Sequence, residues 1–223
     1  MPVWSRDGRR VFFSSDRTGN FDVYSQAADG ASEPRVEFAG PGLQMTQSMT
    51  PDGSQLIVNV DFTDTSVIDL QPPGELAPLL NLDATQLLAS VSPDGHWVAY
   101  ESNEAGGQQE VFVRPFPQVG ARREKISLDG GRFPVWGPAA SKELYYVNLK
   151  GEMMAASITL SPALALGPVT KLFDFVKPPA GGSGIPYDVS PDGRFLTSIL
   201  APTETQGPTH VSVVLNWSPI ARR

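Results

Sequence analysis

The chain has no cysteine, which excludes a disulfide framework, a thiolate nucleophile and a thiolate metal site. It also has no apolar run near the ~18 residues that a membrane helix requires. The best stretch, residues 153–167, is interrupted by Ser157, Thr159, Ser161 and Pro162. A signal-peptide pattern is absent from the start, which reads Met-Pro-Val-Trp-Ser-Arg-Asp-Gly. Positive charge is scarce: 17 Lys and Arg against 24 Asp and Glu give a net charge of −7. That balance argues against nucleic acid, whose phosphates demand a basic surface. The one basic cluster, Arg122, Arg123 and Lys125, reads as a solvated strand edge. Histidine occurs twice, as His96 and His210, in different repeats and without H-E-x-x-H or G-x-S-x-G.

What the chain has in quantity is punctuation. Gly and Pro number 21 each in 223 residues, set among Val, Ile, Phe and Tyr. This favours many short strands and tight turns over long helices. A repeat then organises the sequence. Residues 3–8 read V-W-S-R-D-G, 48–53 S-M-T-P-D-G, 90–95 S-V-S-P-D-G and 188–193 D-V-S-P-D-G, with a degenerate V-W-G-P-A-A-S at 135–141. Aligned on Trp4, Met49, Val91, Trp136 and Val189, the copies are 45, 42, 45 and 53 residues apart. That period predicts β-propeller blades of four strands.

The turn chemistry agrees. The second position of a type I turn suits Pro51, Pro93 and Pro191, the third suits Asp7, Asp52, Asp94 and Asp192, and Gly8, Gly53, Gly95 and Gly193 accept a left-handed backbone. Second strands are expected at 10–14, 55–60, 96–101, 144–148 and 194–200. Third strands are expected at 21–25, 66–70, 110–114, 152–158 and 210–217, and fourth strands at 35–38, 77–80, 123–127 and 169–173. The blades then span about 2–40, 44–81, 86–128, 132–174 and 184–217, with a tail at 218–223. The last blade is one strand short and the chain starts inside its first. The sequence therefore reads as an N-terminally truncated ring of six or more blades, with a closed five-bladed ring as the alternative.

The segment P-V-W-S-R-D-G-R-R-V-F-F-S-S-D-R-T-G-N-F-D-V-Y-S carries S-x-D-G, S-D-x-x-G-N and a D-x-Y strand in order. It resembles the repeat of TolB-like, WD-type propellers, and the resemblance covers nearly the whole chain. The end, Y-D-V-S-P-D-G-R-F-L with V-S-V-V-L-N-W, is similar to the C-terminal propeller of bacterial proteins that carry a serine/threonine kinase domain. The resemblance implies a protein- or ligand-binding sensory module in the periplasm or outside the cytoplasm, and a natural C-terminus at Trp217–Arg223. Two departures stand out. The fourth blade replaces the Asp-Gly turn by 138–142, and the second lacks both the S-D-x-x-G-N loop and the third-strand aromatic.

No chemistry-bearing set stands out. The turn aspartates, and Asp16 and Asn103 in the following loops, read as side chains bonding nearby backbone. Gly181-Gly182-Ser183-Gly184 reads as a connector, because Ile185 stands where a nucleophile elbow has Gly. Trp4, Trp97, Trp136 and Trp217 look equivalent and suited to packing between sheets. The expectation is a non-enzymatic protein- or peptide-binding propeller with no cofactor, no metal, no nucleic acid and no membrane insertion by this segment. Two alternatives stay open. One is an accessory propeller of a prolyl-oligopeptidase-type hydrolase. The other is a lactonase-type metal enzyme, for which the first strands offer Gln44, Gln47 and Asp188 at the axis.

Overall fold

The computed structural model describes residues 1–71, 73–160, 164–175 and 184–197. These form a β-propeller with no helix among them, so none is long and apolar enough to cross a membrane. Four sheets follow one another along the chain. The first is β1 (Val3–Trp4), β2 (Arg10–Ser15), β3 (Asp22–Ala27) and β4 (Arg35–Phe38). The second is β5 (Gln44–Met49), β6 (Gln55–Val60), β7 (Asp64–Leu70) and β8 (Pro73–Leu80). The third is β9 (Gln86–Val91), β10 (Trp97–Ser102), β11 (Glu110–Pro115) and β12 (Glu124–Lys125). The fourth is β13 (Arg132–Trp136), β14 (Glu143–Val147), β15 (Glu152–Thr159) and β16 (Ala165–Asp174). Each is a simple antiparallel meander in chain order. The hairpin of β17 (Tyr187–Val189) and β18 (Phe195–Thr197) begins a fifth. The expected third strand at 210–217 and the tail at 218–223 lie outside the described residues.

The middle strands of the second, third and fourth sheets are largely apolar because each of these sheets packs on both faces, and side chains alternate between them. Leu56 and Val58 of β6 join Val3, Phe12 and Val23 of the first sheet, whereas Ile57 turns the other way to Val98, Tyr100 and Phe112 of the third. In β10, Trp97 and Ala99 face Leu144 and Tyr146 of the fourth sheet. In β14, Tyr145 and Val147 instead meet Tyr187 and Phe195 of the fifth. One run of residues thus supplies two cores.

The S/T-x-D-G hairpins close as their residues require. Gly8, Gly53, Gly95 and Gly193 have φ between 69° and 81°, and each N–H returns to the carbonyl of Ser5, Thr50, Ser92 or Ser190 at 2.8–2.9 Å. The hairpin over 138–142 is one residue longer than the first three. It runs from Gly137 to Glu143 and places Lys142 at φ 53°.

Three sequence expectations are corrected. Trp97 lies on a second strand, not at the first-strand position of Trp4 and Trp136, because its hairpin ends at His96. Trp4 is 60% exposed rather than packed between sheets, while Trp217 is outside the described residues. The fourth strand of the third sheet shrinks to Glu124–Lys125, since Ile126 and Ser127 bond Val111 outside a regular ladder.

Candidate functional site: the axial mouth on the loop face

The chain runs so that first-to-second-strand hairpins lie on one face, the turn face, and second-to-third-strand loops on the other, the loop face. The turn face holds the repeated aspartates in a structural role. Asp7 Oδ1 accepts Ser5 Oγ (2.7 Å) and Arg9 N–H (3.0 Å). Asp52 Oδ1 accepts Thr50 Oγ1 (2.6 Å) and Ser54 N–H (3.1 Å). Asp94 and Asp192 repeat the hydroxyl contact with Ser92 and Ser190. These hydroxyls hold the three carboxyls low, joined by the Arg9 N–H at Asp7 and the Arg194 guanidinium at Asp192, and with the Ser54 N–H they bring that of Asp52 to about 2. The Ser or Thr that opens each turn is thus as much a part of it as the Asp.

A pH effect follows. Asp52 is depressed from 3.8 to about 2, so its contribution to stability is present above about 4 and lost as pH falls toward 2. Because the carboxylate is exposed, solvent screening keeps that contribution under about 1 kcal/mol. Asp52→Asn is therefore expected to be slightly less stable than the parent at pH 5–7 and equal to it near pH 2, by urea unfolding. A gap unchanged with pH would refute the assignment.

Other candidates are also structural. Asn103 Oδ1 accepts Thr85 N–H (3.1 Å) and Thr85 Oγ1 (3.2 Å), and Asp16 O closes a turn with Gly19 N–H. Arg122, Arg123 and Lys125 pair with Glu124, Glu104 and Glu110. Gln44 is not an axial group, because its Nε2 folds back to the carbonyls of Pro41 (2.7 Å) and Gly42 (2.8 Å). Gln86, a first-strand amide that the sequence reading missed, does the same with Ala84 O. Asp188 is exposed and accepts the Val189 N–H (2.8 Å).

The axis carries a different construction. Registers shift in the first strands β5, β9 and β13 between Thr46 and Ser48, opposite Ala99–Glu101, and between Arg132 and Val135. An extra residue bulges there, and Leu88 (φ 55°) and Phe133 (φ 60°) adopt the left-handed region without being glycine. Such backbone costs on the order of 1–3 kcal/mol and persists only where neighbours enforce it. The neighbour is each time the preceding sheet. Ser14 Oγ accepts Thr46 N–H (2.8 Å), Gln47 Oε1 accepts Ala89 N–H (2.9 Å), and Glu101 Oε2 accepts Phe133 N–H (2.9 Å). A bulge frees one N–H from the ladder, and one side chain from the sheet before captures it.

These bulges wall a cavity of about 210 Å³ at the loop-face end of the axis. Gln47, Asn59, Glu101 and Arg132 give it polarity; Met45, Phe62, Leu87 and Phe133 make it apolar. Phe62 stands at the rim, 48% exposed, in a two-residue turn with Asp61 (φ 52° and 58°) that replaces the loop missing from the second repeat. Glu101 is fully buried, and its Oε1 accepts Arg132 Nη2 at 3.2 Å. Burial pushes its carboxyl above the ordinary 4.5, opposed by the Arg132 charge and the Phe133 N–H. Arg132 is 42% exposed and lies over the Phe133 ring at 4.7 Å. Glu101 sits on a second strand where the first and second repeats have Ser14 and Asn59. Neither its position nor that of Arg132 belongs to the repeat's recognisable letters.

No protein-family description and no curated protein matches this chain. Solved structures do. A putative TolB from Agrobacterium tumefaciens is 18% identical over 77% of this chain and 63% of its own length, with a TM-score of 0.61. TolB from Acinetobacter baumannii is 17% identical, covering 92% of this chain and 48% of its own, with a TM-score of 0.63. A gluconolactonase from Xanthomonas campestris is 15% identical over 88% and 68%, with a TM-score of 0.60. The chain thus spans about half to two thirds of the two TolB proteins. The fold is the β-propeller that all three share. A lactonase stands beside TolB in this group, so function has to be argued from the site.

Proposed function

We propose that this chain is a non-enzymatic recognition module, a TolB-like propeller that holds a protein or peptide partner against the axial mouth of its loop face. The observation that carries this reading is the preformed mouth. Three bulged strands are clamped by Ser14, Gln47 and Glu101 of the preceding sheets around a concave, part-apolar cavity with an exposed aromatic at its rim. Preorganisation of that kind lowers the ordering cost of binding. The lactonase reading gains little from the same residues. Both Glu101 oxygens are committed, one to a guanidinium that would oppose a cation beside it. In this reading no cofactor or nucleic acid is required. The setting is extracytoplasmic, and the module serves as the C-terminal part of a larger protein such as a kinase-linked receptor; both rest on the repeat resemblance.

Phe62→Asp places a charge at the rim while suiting the left-handed turn, which Asp tolerates better than Phe. Capture of a partner by the immobilised chain is expected to weaken about tenfold or more, the scale of losing an aromatic anchor that the bound partner covers. The turn-face variant Asp94→Asn is expected to leave it unchanged. Capture lost in Asp94→Asn but kept in Phe62→Asp would move the site to the other face. Turnover of a lactone by the purified chain, lost in an Arg132 variant, would overturn the non-enzymatic reading.

A further inference from the structure

We infer that the axial mouth takes the free C-terminal residue of the partner, its carboxylate on Arg132, Gln47 and Met1 and its apolar side chain on the rest of the wall. This deepens the recognition reading above and rests on it.

The polar side-chain atoms around this cavity are either sealed or open. Glu101 is sealed: it is fully buried, and its oxygens accept Arg132 Nη2 and the Phe133 N–H. Asn59 is sealed too. Its Nδ2 donates to the carbonyls of Asp64 (2.9 Å) and Gln86 (2.8 Å), and its Oδ1 has almost no accessible surface. Thr46 Oγ1 donates to the carbonyl of Met1. The open atoms are donors. Gln47 is oriented by its Oε1, which accepts Ala89 N–H at 2.9 Å; its Nε2 has no acceptor among the described residues and is not sealed. Arg132 gives Nη2 to Glu101, its Nε is sealed, and Nη1 stays open on a side chain 42% exposed. The Met1 ammonium lies in the same lining and donates to the Thr46 carbonyl at 3.3 Å, with N–H groups to spare.

Charge and size narrow the occupant. Met1 and Arg132 bring two positive charges against the one of Glu101, so this lining is locally positive on a chain of net −7. A carboxylate suits such a set, because hydrogen bonds to an ionised acceptor are the strong ones. An ammonium would meet donors of its own charge. A neutral amide would offer its carbonyl, but its N–H would find no open side-chain acceptor. The cavity, at about 210 Å³, is below the roughly 300–1,000 Å³ of sites for drug-sized ligands, which suits one residue. The donors and the apolar surfaces of Met45, Phe62, Leu87 and Phe133 therefore address the same residue. An internal Asp or Glu has a carboxylate without an apolar side chain, and an internal Leu or Phe has the reverse. Only the last residue of a chain carries both, and capture of a C-terminal carboxylate is a recurring mode of peptide recognition.

The test uses the full chain with methyl-labelled methionine, the Met45 methyl serving as reporter. It is run at pH 6, because burial holds the Met1 ammonium below its ordinary 8.0. Three probes are titrated: N-acetyl-leucine (terminal carboxylate and apolar side chain), N-acetyl-leucinamide (the same without charge) and the α-amide of N-acetyl-aspartate (a side-chain carboxylate alone). N-acetyl-leucine is expected to shift the Met45 signal saturably. The other two are expected to bind about tenfold or more weakly, the scale of losing a hydrogen bond to a charged group or the burial of an apolar side chain. Arg132→Met is expected to weaken N-acetyl-leucine about tenfold with little effect on N-acetyl-leucinamide, whereas a purely structural role would weaken both alike. Arg132→Lys, which keeps a positive charge beside Glu101, is expected to retain the preference for the acid. Equal or tighter binding of N-acetyl-leucinamide would overturn the inference, as would the absence of any shift. Equal binding of the aspartate probe would overturn the assignment to a chain terminus. If no probe binds while a captured partner is still lost in Phe62→Asp, the recognition reading stands and this inference falls. If N-acetyl-leucine binds and no protein or peptide is captured, the carboxylate site stands and the recognition reading falls.

Discussion

Phe112→Ala is expected to lower the free energy of unfolding by about 3–5 kcal/mol, the usual cost of deleting a large side chain from a close-packed core. Phe112 is fully buried on β11, in the core shared by the second and third sheets with Ile57, Leu79, Leu80 and Tyr100. Its ring centroid lies 5.8 Å from that of Tyr100, and the Arg123 guanidinium lies 5.1 Å above it. The neighbours cannot collapse into the space. Tyr100 is held by its own hydrogen bonds, its hydroxyl donating to Glu104 (2.5 Å) and accepting from Arg114 Nε (2.6 Å). Domains of ordinary stability have only about 5–15 kcal/mol in total, so this one change takes a large share. Urea unfolding measures it. A loss below about 1 kcal/mol would mean that the two sheets do not share this core, since that is the scale of a surface change.

The second large effect belongs to Glu101, where two variants separate two roles. Glu101→Ala removes the acceptor of the Phe133 N–H at a strained bulge, and is expected to cost about 1–3 kcal/mol, the penalty of an orphaned buried donor. Glu101→Gln keeps an oxygen for that N–H and removes the charge. The native carboxyl is pushed above 4.5 by burial. A raised folded value means that the group's contribution is fully present below the unfolded value near 4.5. It is lost as pH rises through the folded one. Glu101→Gln is therefore expected to gain on the parent as pH rises from about 4.5, because it carries no buried charge to ionise. Unfolding free energies of the three proteins between pH 4 and pH 8 test this. A Gln variant that tracks the parent at a constant offset would show that burial does not govern this carboxyl.

The hairpins were legible in the sequence because their chemistry is local. An Asp, a Gly and an opening Ser or Thr within four residues determine the turn whatever surrounds it. The part of Ser5, Thr50, Ser92 and Ser190 could have been read from the same window, since a hydroxyl two residues before the Asp recurs in every intact copy. The second strands were legible too, from apolar runs such as W-V-A-Y. The axial mouth was not. Glu101 and Arg132 are 31 residues apart and belong to different repeats. The glutamines proposed for the axis split, and only Gln47 reaches it. Whether a first-strand side chain points along the axis or folds back depends on where the bulge falls.

By itself, then, the sequence determined the repeat, the hairpins and the run of strands, because these follow from turn residues and apolar patterning within a few positions of one another. Only the tertiary structure decided which polar groups meet at the axis and which of their hydrogen bonds are left over. Those depend on one sheet capturing a stray N–H of the next, a contact that exists once the sheets are packed side by side.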